Sequence, residues 1–173
     1  LKMWGKVNSL LDIGTGSGCL AITASIEKLA ENIIATDNSQ FALNVAKENI
    51  EKFAVTNIKM VAHDFLKRRF KYKFDVVLSN PPYISDDDMA GLQTEVRAYD
   101  PHSALTDNAD GLSFYRRFAK QFDNFLNPNG ILILEFGENK QKDDIEKIFI
   151  EVGLQNEFFK DQKKTSGVVE IRS

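Results

Sequence analysis

The sequence predicts an α/β fold: a doubly wound, mostly parallel sheet of seven strands with a terminal antiparallel hairpin. Three observations predict it. Short apolar runs alternate along the 173 residues with segments whose apolar positions recur at helical spacing. A cluster of glycines, Gly14, Gly16 and Gly18, follows the first apolar run directly. The last two runs have no helix between them, so one of them must turn back on the other.

The first strand is Ser9-Leu10-Leu11-Asp12-Ile13, ending at the glycine cluster. Ala21, Ile22, Ala24, Ser25, Ile26 and Leu29 then mark a helix. Ile33-Ile34-Ala35-Thr36 is a second buried strand, closed by Asp37. Ser39 is an N-cap for a helix over residues 40–53, with Phe41, Val45, Ala46 and Ile50 on one face. Residues 58–61 and 74–79 are the third and fourth strands. From Asn80 to Asp110 there is no clear periodicity, and three of the four prolines fall there. A loop of that length inside a compact domain is commonly functional. Helix returns over residues 111–126, with Leu112, Tyr115, Phe118, Ala119 and Phe122 on one side. Asn127-Pro128-Asn129-Gly130 is a turn signal, followed by a fifth strand over 131–136. A charged helix over about 140–152 ends at Gly153, and residues 156–160 and 167–172 form the closing pair.

Length supports one α/β domain over residues 1–173 rather than two. The chain begins at Leu1 and reaches a core strand within ten residues, an abruptness expected of a fragment of a longer protein. Hydrophobic residues at 43% and charged residues at 27% place it in the soluble globular class. A net charge of −3 weighs against a broad nucleic-acid footprint. Cys19 is the one cysteine, which excludes an intramolecular disulfide and a cysteine-based metal site. His63 and His102 have no partner at ligand spacing, so no metal is expected. No apolar run approaches the roughly 20 residues of a membrane span, and no signal peptide is visible. Cytoplasm is the expected compartment.

The turn from Asp12 to Gly18 lies where a doubly wound sheet places its ligand crevice. Its spacing is G-x-G-x-G, not the G-x-G-x-x-G that sets a helix N-terminus against a pyrophosphate, and no phosphate-binding lysine follows. An acidic residue at Asp12 repels phosphate and attracts a cation. S-adenosyl-L-methionine carries an ammonium and a sulfonium and no phosphate, so it fits better than a nicotinamide dinucleotide. Asp37 ends the second strand about 20 residues beyond the turn, placed to take ribose hydroxyls. Asp64 follows the third strand and is placed for the adenine amino group, with Phe65 against the ring. The candidate cofactor set is Asp12, Gly14, Thr15, Gly16, Gly18, Asp37, Asn38, Asp64, Phe65 and Asn80. The plain alternative is that the three acids are ordinary strand-end caps; their occurrence at three successive strand ends favours a shared ligand.

Asn80-Pro81-Pro82-Tyr83 directly follows the fourth strand and is the candidate catalytic segment. Its prolines remove donors and fix φ, giving a stiff turn that presents carbonyl oxygens. The Asn80 side-chain oxygen and the Pro81 carbonyl can both accept from one planar –NH2 group. That grip aims the nitrogen at a sulfonium methyl and draws its lone pair out of conjugation. Tyr83 can stack on a planar substrate and favour the cation. No prior deprotonation is needed, because the methyl donor is already electrophilic. Orientation is then the main contribution, worth up to about 10 kcal/mol. The competing structural account is a rigid turn leaving a strand.

Together the Asp12–Gly18 turn and Asn80-Pro-Pro-Tyr83 resemble the class I amino-methyltransferases, which include DNA adenine, RNA guanine and protein glutamine enzymes. The flanking residues are similar to those of bacterial peptide chain release factor glutamine N5-methyltransferases. They are Ile84, Glu95-Val96, Asp100-Pro101, Ala104-Leu105, Asp110-Gly111-Leu112, Tyr115-Arg116, Leu134-Glu135-Phe136-Gly137, Gln141 and Lys160-Asp161. The resemblance implies a Rossmann-like sheet and S-adenosyl-L-methionine against Gly14, Gly16, Gly18, Asp37 and Asp64. It implies a glutamine amide held by Asn80, Pro81 and Tyr83, with the long loop after Tyr83 forming part of the substrate pocket. The implied reaction is N5-methylation of the glutamine in the Gly-Gly-Gln motif of release factors, its protein partners in translation termination. The family usually carries an N-terminal helical domain, which is absent from these residues. It commonly has Gly-Gly where this chain has Asp107-Asn108, and an Arg-rich turn where this chain has Gln162-Lys163-Lys164-Thr165.

Two other readings compete. A nucleic-acid amino-methyltransferase acts on the same planar –NH2 at adenine N6 or guanine N2, but must extract a base from its stack and shows a basic surface. A non-catalytic S-adenosylmethionine-binding module would have no need of Asn80.

Overall fold

The computed structural model describes residues 5–91, 101–137, 141–160 and 167–173. In chain order the elements are β1 (Val7–Ile13), α1 (Cys19–Ile26), β2 (Ala30–Asp37), α2 (Gln40–Lys52), β3 (Ile58–Ala62) and β4 (Phe74–Ser79). A 3-10 turn (Asp88–Gly91) and the short helix α3 (His102–Leu105) follow, then α4 (Ser113–Phe125), β5 (Leu126–Phe136), α5 (Lys142–Ile150), β6 (Gln155–Lys160) and β7 (Gly167–Arg172). Among the described residues, seven strands form one sheet in the order β3-β2-β1-β4-β5-β7-β6. β1 pairs in parallel with β2 and with β4, and β2 in parallel with β3. β6 and β7 pair antiparallel from Gln155↔Arg172 to Lys160↔Gly167, the closing hairpin expected from the sequence.

The chain divides into two compact units, Leu1–Asn80 with Asp123–Ile133, and Pro81–Phe122 with Leu134–Ser173. The core of the first is built from Leu10, Ala21, Ala24, Ala30, Ile33, Ala35, Val76 and Leu78, with Ile58, Met60 and Ile133 packed against it. Small residues on α1 let that helix lie close to the strands, which is why Ala recurs where a longer side chain would raise it. In the second unit Tyr115, Phe118, Ile145, Phe149, Val169 and Ile171 are fully buried, and the Phe136 ring meets Phe158 edge-on at 5.4 Å. Tyr115, Phe118, Ala119 and Phe122 are all buried, as one face of α4 requires, and Leu112 is buried just before the helix begins.

Local chemistry sets the ends of the elements. Ser39 caps α2, its Oγ accepting from the Ala42 amide at 3.3 Å. After α1, Lys28 takes φ of 55°, and the Leu29 amide bonds back to the Ala24 carbonyl at 2.9 Å, ending the helix before Leu29. Two expectations are corrected. On α2 the buried stripe is Leu43 and Ala46, whereas Phe41 is 71% exposed. Two residues before Leu43, Phe41 lies roughly 200° around the helix and faces away.

The second correction is that Asn127-Pro128-Asn129-Gly130 does not end an element but lies within β5. Asn129 takes φ of 63°, so the left-handed residue sits inside the strand without reversing the chain. Asp75 holds the segment in place: it accepts from Asn127 Nδ2 at 2.8 Å through Oδ1, and from Ser9 N and Oγ at 2.9 and 3.0 Å through Oδ2. The irregular stretch after Asn80 also carries order that periodicity missed, with Ile84 bridging Thr106 in parallel.

A Cβ on Gly130 would lie 2.8 Å from the Asn127 carbonyl oxygen, 2.9 Å from Leu126 Cδ2 and 3.1 Å from the Phe74 carbonyl oxygen. Gly130→Ala is therefore expected to lower the unfolding free energy by about 1–3 kcal/mol. Urea denaturation checks it; an unchanged midpoint would remove close approach as the reason for this glycine.

Candidate active site

β1 delivers its last residues fully buried, and the carboxylate of Asp12 goes in with them. Its Oδ2 accepts from Thr15 Oγ1 at 2.6 Å and from the Ala21 amide at 3.2 Å, tying the turn to the first turn of α1. Thr15, itself buried, also donates its amide to the Thr36 carbonyl at 2.8 Å. Gly14, Gly16 and Gly18 have φ of 71°, 55° and 84°. A side chain at Gly18 would press on Ile22 and Ala46, while a Cβ on Gly14 or Gly16 would meet nothing within 4 Å. The first two glycines thus leave open space above the turn, and the third lets α1 sit down on α2.

Asp12 Oδ1 is buried and, among the described residues, has no hydrogen-bond partner. Burial raises the carboxyl to about 6 and the nearby Asp37 charge adds to this, against hydrogen bonds from Thr15 and Ala21. The site holds a buried acceptor in need of a cationic or hydrogen-bonding partner.

Register fixes the remaining acids of this unit. Ile13 pairs with Thr36, so Asp37 emerges level with the glycine turn. Its Oδ2 accepts from the Gly16 amide at 3.0 Å and its Oδ1 from the Ser39 amide at 2.9 Å. Both oxygens keep a further lone pair. Asn38, between them in sequence, is exposed. Asp37 also pairs with Ala62, which sets Asp64 two residues beyond the same edge.

Asp64 accepts from Lys67 Nζ at 3.0 Å and from the Lys67 amide at 3.2 Å. Burial pushes its carboxyl up, but the Lys67 bonds and charge outweigh that and hold it below the ordinary range. An exposed pair of this kind is weak and can yield to a ligand. Phe65 is 5% exposed, its ring 6.1 Å from both Phe70 and Phe125, so the ring is engaged in packing. His63 stacks on Phe70 at 4.1 Å, and Cys19 is exposed at the start of α1.

Asn80 is brought to the glycine turn by β4. Ile13 pairs with Ser79, and Ser79 Oγ donates to the Ile13 carbonyl at 2.7 Å, so Gly14 and Asn80 leave paired positions on adjacent strands. The Asn80 side chain is exposed there.

In the second unit Pro81 is buried, and Pro82 and Tyr83 are half-buried. The Tyr83 carbonyl accepts from Gln141 Nε2 at 2.6 Å. Its ring lies against Gly137, where a Cβ would come within 2.9 Å of Cδ2. Burial, with the Glu135 charge adding to it, raises the Tyr83 hydroxyl above its usual range. Tyr115 is raised further for the same first reason, its hydroxyl donating to the Glu135 carbonyl at 2.8 Å.

Asp107 was missed as a structural residue by sequence reasoning, although an Asp ahead of a glycine and a helix is a capping signal. It accepts from the amides of Ala109 at 3.0 Å, Gly111 at 2.9 Å and Ser113 at 2.9 Å. Burial alone would raise its carboxyl, but the bonds from Ser113, Gly111 and Ala109 hold it low. Asn108 takes φ of 58°, so an asparagine does here what glycine does elsewhere. Arg116 grips Asp110 through both nitrogens, at 2.9 and 2.6 Å. Glu95, Val96, Asp100, Asp161 and residues 162–165 lie outside the described residues. Among those described, no three His, Cys, Asp or Glu side chains gather to hold a metal, and no helix is long and apolar enough to cross a membrane.

A doubly wound sheet with an open glycine turn after β1 and acids at the ends of β1 and β2 defines a class I methyltransferase fold of Rossmann type. Residues 2–97 match the family model described as the methyltransferase small domain, and the chain belongs to that family. A bifunctional methyltransferase of Rickettsia prowazekii is 40% identical over 184 residues, covering 99% of this chain and 35% of its own length. A release factor glutamine methyltransferase of Cereibacter sphaeroides is 43% identical over 130 residues, covering 75% of this chain and 46% of its own. The chain thus spans less than half the length of these relatives. A crystal structure of a methyltransferase from Pyrococcus furiosus superposes with a TM-score of 0.72 at 23% identity, covering 96% of this chain and 75% of that one.

Asp12 makes stability depend on pH in a direction unusual for a carboxylate. Its folded pKa of about 6 exceeds the ordinary 3.8, so the folded state holds the proton more tightly. Stability therefore falls as pH rises from 3.8 to about 6, by about 3 kcal/mol in all, and stays lower above that. Asp12→Asn does not titrate. Between about pH 4.5 and about pH 7, wild type is expected to lose about 2 kcal/mol relative to the variant. Urea unfolding of both across that range checks this; a constant difference would contradict it.

Proposed function

We propose that this chain is the catalytic domain of an S-adenosylmethionine-dependent protein methyltransferase. Its substrate is the side-chain amide nitrogen of the glutamine in the Gly-Gly-Gln motif of peptide chain release factors, and it works in the cytoplasm, where those partners act. The observation that carries the reading is the pairing of Ile13 with Ser79, which sets Asn80 beside the open glycine turn. The naming of the Cereibacter relative as a release factor glutamine methyltransferase supports the substrate.

The residues present fit the cofactor. The turn leaves space over Gly14 and Gly16, the anchored Asp37 carboxylate has lone pairs for ribose hydroxyls, and buried Asp12 supplies negative charge toward a cation. Thr15 keeps Asp12 oriented, Asn38 and Asp64 are placed for the nucleoside end, and Phe65 follows Asp64 with its ring packed in the core. When bound, S-adenosylmethionine supplies an electrophilic methyl on a sulfonium.

The chain's own contribution is orientation. Asn80 Oδ1 and the Pro81 carbonyl each accept one N–H of the substrate amide, which localises the nitrogen lone pair for attack. Pro82 stiffens the turn, and Tyr83 flanks the amide plane. The extra proton on the methylated nitrogen leaves to solvent. The negative overall charge disfavours the nucleic-acid alternative.

Mass spectrometry on release factor incubated with the protein and S-adenosylmethionine is expected to show one methyl on the Gly-Gly-Gln glutamine. Asn80→Ala is expected to lose about 100-fold or more in rate while cofactor affinity changes by less than about threefold. Transfer to DNA or RNA with none to release factor would sink the substrate assignment. Equal loss of cofactor affinity and rate would make Asn80 a structural residue.

A further inference from the structure

Residues 80–83 contain two prolines in succession, so the turn has no amide hydrogen at its centre with which to fix itself. Its hold must come from outside. At its C-terminal end that hold is specific: the Tyr83 carbonyl accepts from Gln141 Nε2 at 2.6 Å, and the next amide, Ile84, donates to the Leu105 carbonyl at 3.0 Å.

We propose that Gln141 is a positioning residue for methyl transfer, its amide fixing the Tyr83 carbonyl and with it the catalytic turn. The inference rests on the reading of residues 80–83 as the grip on the substrate amide. Three observations carry it. First, Gln141 stands at the N-terminal end of α5 yet makes no side-chain bond to cap it; its amide reaches instead to a residue 58 positions away. Second, Gly111, at φ of 76°, opens the space in which this happens. A Cβ there would lie 2.2 Å from the Tyr83 carbonyl oxygen and 2.7 Å from Gln141 Nε2. Third, Gly137 clears the other side. A Cβ on it would meet the Tyr83 ring at 2.9 and 3.0 Å and Gln141 Oε1 at 3.4 Å.

Two glycines and one amide thus enclose both the carbonyl and the ring of Tyr83. The Gln141 backbone is itself fixed, its carbonyl accepting from Ile145 at 2.9 Å in the first turn of α5. A carbonyl gripped by a side chain from a helix end is anchored, and because the rings of Pro81 and Pro82 fix φ, that anchor narrows the positions open to the turn before it. In this role Gln141 acts through Tyr83.

The test is Gln141→Met, which keeps length and removes the donor, with Gln141→Glu as a second variant that puts an acceptor against the carbonyl. Both are assayed on the acceptor that wild type methylates, alongside cofactor titration and thermal melting. The expected result is a kcat about 10- to 100-fold lower, with cofactor affinity within about twofold of wild type. An unchanged kcat, or a loss of rate matched by loss of cofactor affinity, overturns the proposal. Wild type inactive on release factor but active on another amide or amine overturns the release-factor reading alone, and the variants are then compared on that acceptor. If wild type methylates none, the crystal structure of the Gln141→Met protein decides. A Tyr83 carbonyl turned away from Gly111 supports the proposal, and one that has not moved overturns it.

Discussion

The parallel register at Ile13 is the constraint on which the candidate site depends. That one residue pairs with Thr36 on one side and Ser79 on the other. Strands paired in parallel send their chains out at the same edge, so the glycine turn, Asp37 and Asn80 emerge level with one another. Hydroxyls stitch this edge together. Thr36 Oγ1 donates to the Asp12 carbonyl at 3.1 Å, and Ser79 Oγ donates to that of Ile13 at 2.7 Å. A one-residue slip of β4 would turn Ser79 to the wrong face and carry Asn80 off its level. The same edge encloses the Asp12 carboxylate, whose burial is unfavourable without a partner. Stability and readiness for a cation are opposed at this point.

The second unit solves a different problem. A turn with two prolines is stiff inside but has few handles, so its placement is decided by what surrounds Tyr83. Gly111 and Gly137 contribute by absence of a side chain, Gln141 by a donor, and Asp107 by keeping the Gly111 backbone in its left-handed conformation. The loop from Asp107 to Ser113 gathers three amides on one carboxylate, and that is a compact way to satisfy backbone donors where no strand or helix can.

What the sequence made legible was whatever its local chemistry determines. The runs at 74–79 and 167–172 match β4 and β7 residue for residue, because each is a dense apolar segment bounded by polar residues. The apolar stripe of α4 was equally plain. Phe41 misled because α2 is mostly polar and its large aromatic drew the face toward itself, while the smaller Leu43 and Ala46 do the packing. Asn127 to Gly130 misled because turn residues can also sit inside a strand, and the partner that holds Asn127 there, Asp75, lies 52 residues earlier. Asp12, Asp37 and Asn80 were legible as strand-end polar residues. Phe65 carried no sign that Phe70 and Phe125 would engage its ring, and Gln141 carried none that its partner was a carbonyl 58 residues away.

Asp37 has a consequence for the thermodynamics of ligand capture. One oxygen is held by the Gly16 amide and the other by the Ser39 amide, so the carboxylate has a single rotamer before anything binds. Ordering a side chain at an interface ordinarily costs about 0.5–1.5 kcal/mol at the moment of association. Here that entropy is lost during folding, as part of closing the glycine turn against β2. A ligand donating hydroxyls to Asp37 meets an acceptor already at rest, and the corresponding cost appears in the stability of the empty protein rather than in the affinity of the filled one.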